Sequence, residues 1–232
     1  MKLSLIIPCY NEAANLPLLL GRCDGLLANA DAEIILVDNG STDNTPAVLA
    51  ALLPDHPGCR SIRVEVNQGY GFGILTGLGA AKGDILGWTH ADMQTDPQDA
   101  LLGIPHFKCL DNQLFVKGRR YGRPLADVFF TVAMSVFETM LMRKSLWDIN
   151  AQPNLFTRSF FETWKNPPHD FSLDLYAYFQ ARHQGLTVRR FPVLFGKRAH
   201  GVSHWNVNWA AKRKFILRTV RFSLQLKKDL AP

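Results

Sequence analysis

The chain has 232 residues, 47% of them apolar and 20% charged, with 26 Lys+Arg against 20 Asp+Glu and a formal net charge of +6. That composition suits one globular domain and excludes disorder, collagen-like repeats and a disulfide-stapled miniprotein. The charge is unevenly placed: residues 1–116 hold 6 Lys+Arg and 13 Asp+Glu, whereas residues 117–232 hold 20 and 7.

Four cysteines without a C-x-x-C pair give neither a disulfide framework nor a zinc pattern, and a reducing compartment is expected. The first apolar run, Leu3–Ile7, is too short for a signal peptide or a span, so the mature protein is expected to start here.

Leu3–Pro8, Ile34–Asp38, Ile62–Val66 and Ile85–Thr89 are short apolar runs of the buried parallel-strand type. Helical lengths lie between them, at Leu16–Leu27, Thr45–Leu53 and Gly71–Ala81. Thr45-Pro46 and Asp96-Pro97 each read as an N-cap residue followed by Pro at the first helical position. The rhythm predicts an α/β fold, a mainly parallel central sheet with helices on both faces, which binds ligands at the carboxyl ends of its strands.

After Val116 the rhythm changes. Leu125–Met142 is long and apolar, but Asp127, Thr131, Ser135 and Glu138 fall on one helical face, which predicts an amphipathic helix and not a span. An irregular stretch over Asp148–Asn154, a helix over Ser172–Gln184, a β-like pair in Leu186–Gly196 and a final helix over Trp209–Lys228 follow. On that last helix Lys214, Arg218, Arg221 and Lys228 share a stripe beside a broad apolar surface, which suits an anionic membrane interface or a packed helix with a solvated edge. We divide the chain into a domain over 1–204 and a basic helical appendage of it over 205–232.

Three segments place polar groups at strand exits. Ile6-Ile7-Pro8-Cys9-Tyr10-Asn11-Glu12 and Val37-Asp38-Asn39-Gly40-Ser41-Thr42-Asp43 offer carboxylates that could accept from a ribose hydroxyl or a base N–H, or serve as turn and cap chemistry. In Thr89-His90-Ala91-Asp92-Met93-Gln94, an extended tip would point His90, Asp92 and Gln94 to one side, where a divalent cation held partly by substrate phosphates would fit.

Together, SLIIPCYNEAANL, VDNGSTDNT, NQGYGFGILTGLGAAKGDILGWTHADMQTDP, DINAQPNLFTR and FPVLFGKRAHGVSHW resemble the family-2 glycosyltransferases of the A-type nucleotide-sugar fold. Within them they resemble the polyprenyl-phosphate sugar transferases such as dolichyl-phosphate mannosyltransferase. The resemblance implies that Pro8, Tyr10, Glu12, Asp38 and Ala91 lie around the nucleoside. It implies that Asp92 and Gln94, with His90 in the first position of the motif, hold a divalent cation, Mn²⁺ or Mg²⁺, and the diphosphate. Arg120, Arg198, Ser203 and more weakly Lys197 match phosphate-binding positions. The sequence departs from the family at His90 and Asn39, each in the place of an Asp, and at Asn150-Ala151-Gln152 in the place of Ser-Gly-Phe. Imidazole would favour Mn²⁺ over Mg²⁺ or leave the metal shell.

The expected activity is transfer of a hexose from a UDP- or GDP-linked sugar to a polyprenyl phosphate, by an enzyme at the cytoplasmic face of the membrane, bound peripherally or through an anchoring partner protein. The alternatives are a saccharide hydroxyl acceptor, for which Asp148 and Asp174 are the candidate bases, and a non-catalytic relative that binds nucleotide sugar. Nucleic acid is not an expected partner, because no nucleic-acid motif occurs and the acidic half would repel a backbone. Gly69, Gly71 and Gly73 follow the third strand with the wrong spacing for a dinucleotide fingerprint; they predict a turn into a helix that lets backbone approach a ligand.

Overall fold

The computed structural model describes residues 1–108, 113–200 and 209–229. Four parallel strands, β1 (Leu3–Cys9), β2 (Ala32–Asn39), β3 (Cys59–Val64) and β4 (Ile85–Trp88), alternate with α1 (Leu16–Leu27), α2 (Thr45–Leu52) and α3 (Tyr70–Ala80). A short α4 (Ala100–Gly103) leads to β5 (Leu114–Tyr121) and α5 (Leu125–Met142). Then come β6 (Asn154–Thr157), α6 (Arg158–Glu162), α7 (Leu173–His183), β7 (Thr187–Leu194) and α8 (Trp209–Asp229).

The seven strands form one sheet in the order β3-β2-β1-β4-β6-β5-β7, in which only β6 runs antiparallel to its neighbours. Alternation along the strands loads both faces: Leu3, Leu5 and Ile7 pack into one core, Ile6, Ile35 and Val37 into the other. The α/β fold expected from the sequence is therefore present, with helices on both faces of a mainly parallel sheet.

Several local expectations change. β3 begins at Cys59, three residues earlier than its apolar run, because it is a sheet edge paired with β2 from Ile34↔Cys59 onward. Leu186–Gly196 holds one strand, β7, which pairs in parallel with β5 along its whole length and is not a hairpin. β6 falls where the sequence shows only an irregular segment; four residues, all buried, are too few for a period to register. Asp96 caps its turn by accepting from the Gln98 N–H at 2.9 Å. Thr45 does not cap α2: Asn44 precedes the helix, and the Thr45 hydroxyl accepts from the Glu12 N–H at 2.9 Å.

Candidate active site

β1 lies between β2 and β4, so the chain's winding reverses beside it and a crevice opens at the carboxyl ends of these strands, the usual ligand position in open α/β sheets. The loop after β1 interlocks with the loop after β2. Asn11 donates its N–H to Ser41 Oγ (3.0 Å) and accepts on its side-chain oxygen from the Thr42 and Asp43 N–H groups (2.8 and 3.3 Å). Asn15 donates to the Glu12 carboxylate, whose pKa is raised chiefly by burial. Tyr10 stays exposed, Pro8 is half-buried and Ala91 is buried.

Asp38, at the end of β2, is buried, and its two oxygens accept from the Ser41 N–H (3.0 Å) and from Arg63 (2.7 Å). Arg63 is its register partner on β3, a cross-strand pair between residues 25 apart in the chain that no local pattern in the sequence shows. Asn39 donates from its side-chain nitrogen to the Gly69 carbonyl at 2.9 Å, which an Asp could not do. This departure from the family pattern thus fastens the turn ahead of α3. Gly69, at φ 112°, and Gly71 make room for the chain's own backbone, since a Cβ on Gly71 would stand 2.5 Å from the Pro168 carbonyl. The expectation that these glycines admit a ligand is replaced by a packing reason. We predict that Asn39→Asp, which sets a carboxylate against that carbonyl, costs about 1–3 kcal/mol, read as a lowered melting temperature and not as a gain in activity.

The segment after β4 is not extended. It bends, with Met93 at φ 59°, so His90, Asp92 and Gln94 do not form a simple alternating row. The His90 ring stacks on Tyr70 (centroids 5.6 Å apart), which stacks in turn on Phe171 (4.5 Å). Asp92 is buried; its Oδ1 accepts from the Gln94 N–H (3.1 Å), and its Oδ2 is ion-paired with Arg198 at 2.9 Å. Gln94 donates its side-chain amide to the Gly196 carbonyl (3.3 Å), and its backbone carbonyl accepts from the Gly196 N–H (2.8 Å). The late loop is therefore docked on the Asp92 turn. Lys197 is exposed and lines a groove of about 480 Å³ with Met93 and Gln94; Ser203 lies outside the described residues.

A second cluster forms where β5 ends. Arg120 donates to Asp148 Oδ1 from Nε (2.9 Å) and from its terminal nitrogen, and its backbone N–H meets Oδ2 at 3.1 Å. Arg190 and Arg123 stand 3.6 and 4.0 Å from the same carboxylate. Beneath them Lys117 donates to the Ile149 carbonyl at 2.6 Å, and burial, aided by Arg190, lowers its pKa to about 7. One carboxylate faces three guanidinium groups, so the cluster keeps net positive charge. The Nε atoms of Arg123, Arg190 and Arg198 are buried with no hydrogen-bond partner.

Asp174 belongs to the core below the crevice. Its Oδ1 accepts from Trp88 Nε1 (3.2 Å), Gln152 Nε2 (2.7 Å) and Asn154 Nδ2 (3.0 Å), and burial raises its pKa. Gln152, part of another departure from the family pattern, ties the segment before β6 to α7 through this carboxylate.

The model of the family "Glycosyl transferase family 2" matches residues 4–161, which contain the crevice and the Asp92 turn. The chain belongs to glycosyl transferase family 2. This family 2 chain is 37% identical over 169 residues to the undecaprenyl-phosphate 4-deoxy-4-formamido-L-arabinose transferase of Yersinia enterocolitica, covering 69% of this chain and 50% of that protein. It is 31% identical over 173 residues to the protein of the same name from Serratia proteamaculans, covering 71% and 52%. The chain thus spans about half the length of these relatives.

Among solved structures, a mannosyltransferase from Pyrobaculum calidifontis in complex with GDP-Man and Mn²⁺ superposes with a TM-score of 0.72 at 18% identity, covering 99% of this chain and 65% of that one. Glucosyl-3-phosphoglycerate synthase from Mycobacterium tuberculosis, in complex with Mn²⁺, UDP and phosphoglyceric acid, gives 0.71 at 19% identity, covering 100% and 79%. At such identities the likeness is one of fold.

Proposed function

We propose that the chain transfers a sugar from a nucleoside diphosphate sugar to a polyprenyl phosphate at the cytoplasmic membrane face, where it sits peripherally or beside an anchoring protein. The observation that carries this reading is the pair of cationic clamps at one end of the sheet: Arg198 on Asp92, and the Arg120, Arg123 and Arg190 cluster around Asp148. Two phosphate-bearing substrates need two such places. The names of the relatives supply the acceptor class, and the fold neighbours supply the donor class.

In this reading Pro8, Tyr10, Glu12 and Ala91 line the nucleoside, and Asp38, held by Arg63, reads the base. The donor set beside the diphosphate is the Asp92 carboxylate and the Gln94 side-chain oxygen, left available because the amide nitrogen is spent on Gly196. Two protein oxygens completed by phosphate and water oxygens suit Mg²⁺ or Mn²⁺, and among the described residues no group of three His, Cys, Asp or Glu side chains forms a complete site. A cation there would neutralise charge on the diphosphate. His90, whose ring face stacks on Tyr70, is not counted in this set.

A phosphate oxygen of the acceptor attacks the anomeric carbon, the bond to the donor diphosphate breaks, and its electron pair leaves with the nucleoside diphosphate. Arg198 and Arg120, with Lys197 at the rim and with Ser203 by its match to the family motif alone, stabilise the negative charge that grows there. A phosphate monoester is already anionic at neutral pH and needs no base. That agrees with the commitment of both candidate bases elsewhere, Asp148 to Arg120 and Asp174 to the core amides, which makes them positioning residues. The hydroxyl-acceptor reading loses its base by the same observation.

The test is thermal stabilisation by UDP- and GDP-sugars with and without Mn²⁺, followed by transfer of labelled sugar to a detergent-dissolved polyprenyl phosphate. Stabilisation and transfer are expected. Stabilisation without transfer to any acceptor would leave a binding protein, and no stabilisation by any nucleoside diphosphate would overturn the reading.

A further inference from the structure

The faces of α5 are exchanged relative to an ordinary surface helix. Its polar stripe points inward, with Ser135 1% and Glu138 0% exposed. Ser135 Oγ accepts from the Asp148 N–H at 3.0 Å, Thr139 bonds both polar backbone atoms of Leu146, and Thr131 accepts from Arg123 at 2.7 Å. Glu138 accepts from Ser223 of α8 at 2.8 Å, and burial raises its pKa to about 7.

Every exposed residue of α5 is apolar. Leu125, Phe129 and Met140 are 87%, 77% and 75% exposed, with Val136 and Phe137 between them. By length and composition the helix could cross a membrane. Its place in the fold argues against that: it leaves from β5, and the chain returns along its polar stripe to β6, the neighbouring strand of the same sheet. About 27 Å long at 1.5 Å per residue, it lies along the domain as a ridge.

Beside the ridge runs α8, fixed by Glu138–Ser223 and by Arg218, which pairs with Asp170 at 3.3 Å and lies over Phe171. Arg218 is thus taken from the solvent stripe expected from the sequence, and the side chain of Lys214 lies outside the described residues. The exposed side chains of α8 include Arg213, Arg221, Lys227 and Lys228, with Leu217 and Leu224 among them.

We propose that α5 and α8 form the face by which the protein lies on an anionic lipid bilayer, the α5 ridge entering the acyl boundary in the plane of the surface and the α8 cations meeting lipid phosphates. Amphipathic helices bind in this way through apolar area plus basic charge. Charge complementarity selects the bilayer over a second copy of the chain, because a two-fold dimer on the ridge would bring the same basic helix from both copies together. The proposal rests on the lipid-acceptor reading above, and its test uses vesicles without acceptor so that the two can fail separately.

The full chain is floated with vesicles of phosphatidylglycerol and phosphatidylcholine, and with phosphatidylcholine alone. We expect binding to the mixed vesicles that weakens with salt. The double variant Phe129→Gln/Met140→Gln should lose about tenfold or more in partitioning while keeping the wild-type melting temperature and thermal response to nucleoside diphosphate. Arg221→Gln/Lys228→Gln should flatten the salt dependence. The proposal is overturned if the ridge variant floats like the wild type. It is equally overturned if the wild type does not float and light scattering shows a dimer that Phe129→Gln/Met140→Gln dissociates. Flotation without transfer to detergent-dissolved acceptor would sink the lipid-acceptor reading and leave the docking face standing.

Discussion

Asp148→Asn is expected to lower the melting temperature by about 10 °C, from a loss of ~3–5 kcal/mol when a buried ion pair loses one partner and a response of ~2–4 °C per kcal/mol for a chain of this size. The carboxylate is 4% exposed and is the nearest anion to Arg120, Arg190 and Arg123. Removing it leaves three guanidinium groups and Lys117 facing one another in a desolvated pocket. Asn is the informative replacement because Asp148 sits at φ 48°, a left-handed conformation that Asn also adopts, so the variant changes charge without backbone strain.

Burial works against the charged form of Asp148, but Arg120, through its charge and its hydrogen bonds, holds the pKa below the usual value. A depressed carboxylate contributes stability above its unfolded pKa, near ~3.9, and loses it as pH falls through the folded value. The gap between wild type and variant should therefore be full at neutral pH and close only in strong acid. Below its melting temperature the variant should keep the shape of the wild-type pH–rate profile, whereas loss of a general base would remove the limb that reports it. A melting temperature within a degree or two of wild type would show that the cluster is solvated and that Asp148 does not hold it together.

The sequence made the first half of the fold readable because β1, β2 and β4 are continuous apolar runs buried on both faces, and α1 and α3 lie between turn signals. It misled where tertiary pairing overrides local pattern: β3 is set by its register with β2, and β6 is too short to show a period. At the site, positions could be assigned by motif, but commitments could not. Nothing local in Asp148 or Asp174 says that one is claimed by arginines on β5 and β7 and the other by amides around β6, since those partners lie 20 to 42 residues away in the chain. Lys117 was in principle visible as a cation directly after the apolar run Leu114–Val116 and before Gly118. The polar stripe of α5 was visible too; that it faces inward is a consequence of the segment returning to β6, which no helical periodicity encodes.

Arg198→Gln and Asp92→Asn should separate two roles of the same ion pair. Each is expected to lower kcat by about 10²–10³, the usual effect of removing one group that stabilises developing charge, with no large loss of fold because Arg198 is only partly buried and Asn at 92 can still accept from the Gln94 N–H. Their effects on Mn²⁺ binding without nucleotide should be opposite. Arg198 occupies the Asp92 oxygen that faces it at 2.9 Å, so a cation must displace the guanidinium before it can use that oxygen. Arg198→Gln removes the competitor and should tighten Mn²⁺ binding to the nucleotide-free protein, measured by paramagnetic resonance of free Mn²⁺, while Asp92→Asn removes the ligand and should weaken it. Bound nucleoside diphosphate gives Arg198 another anion, so the tightening in Arg198→Gln should shrink or vanish when UDP or GDP is present. Weaker Mn²⁺ binding in nucleotide-free Arg198→Gln would mean that the arginine supports the cation site instead of competing for it, and the exchange of Arg198 from Asp92 to the diphosphate would have to be abandoned.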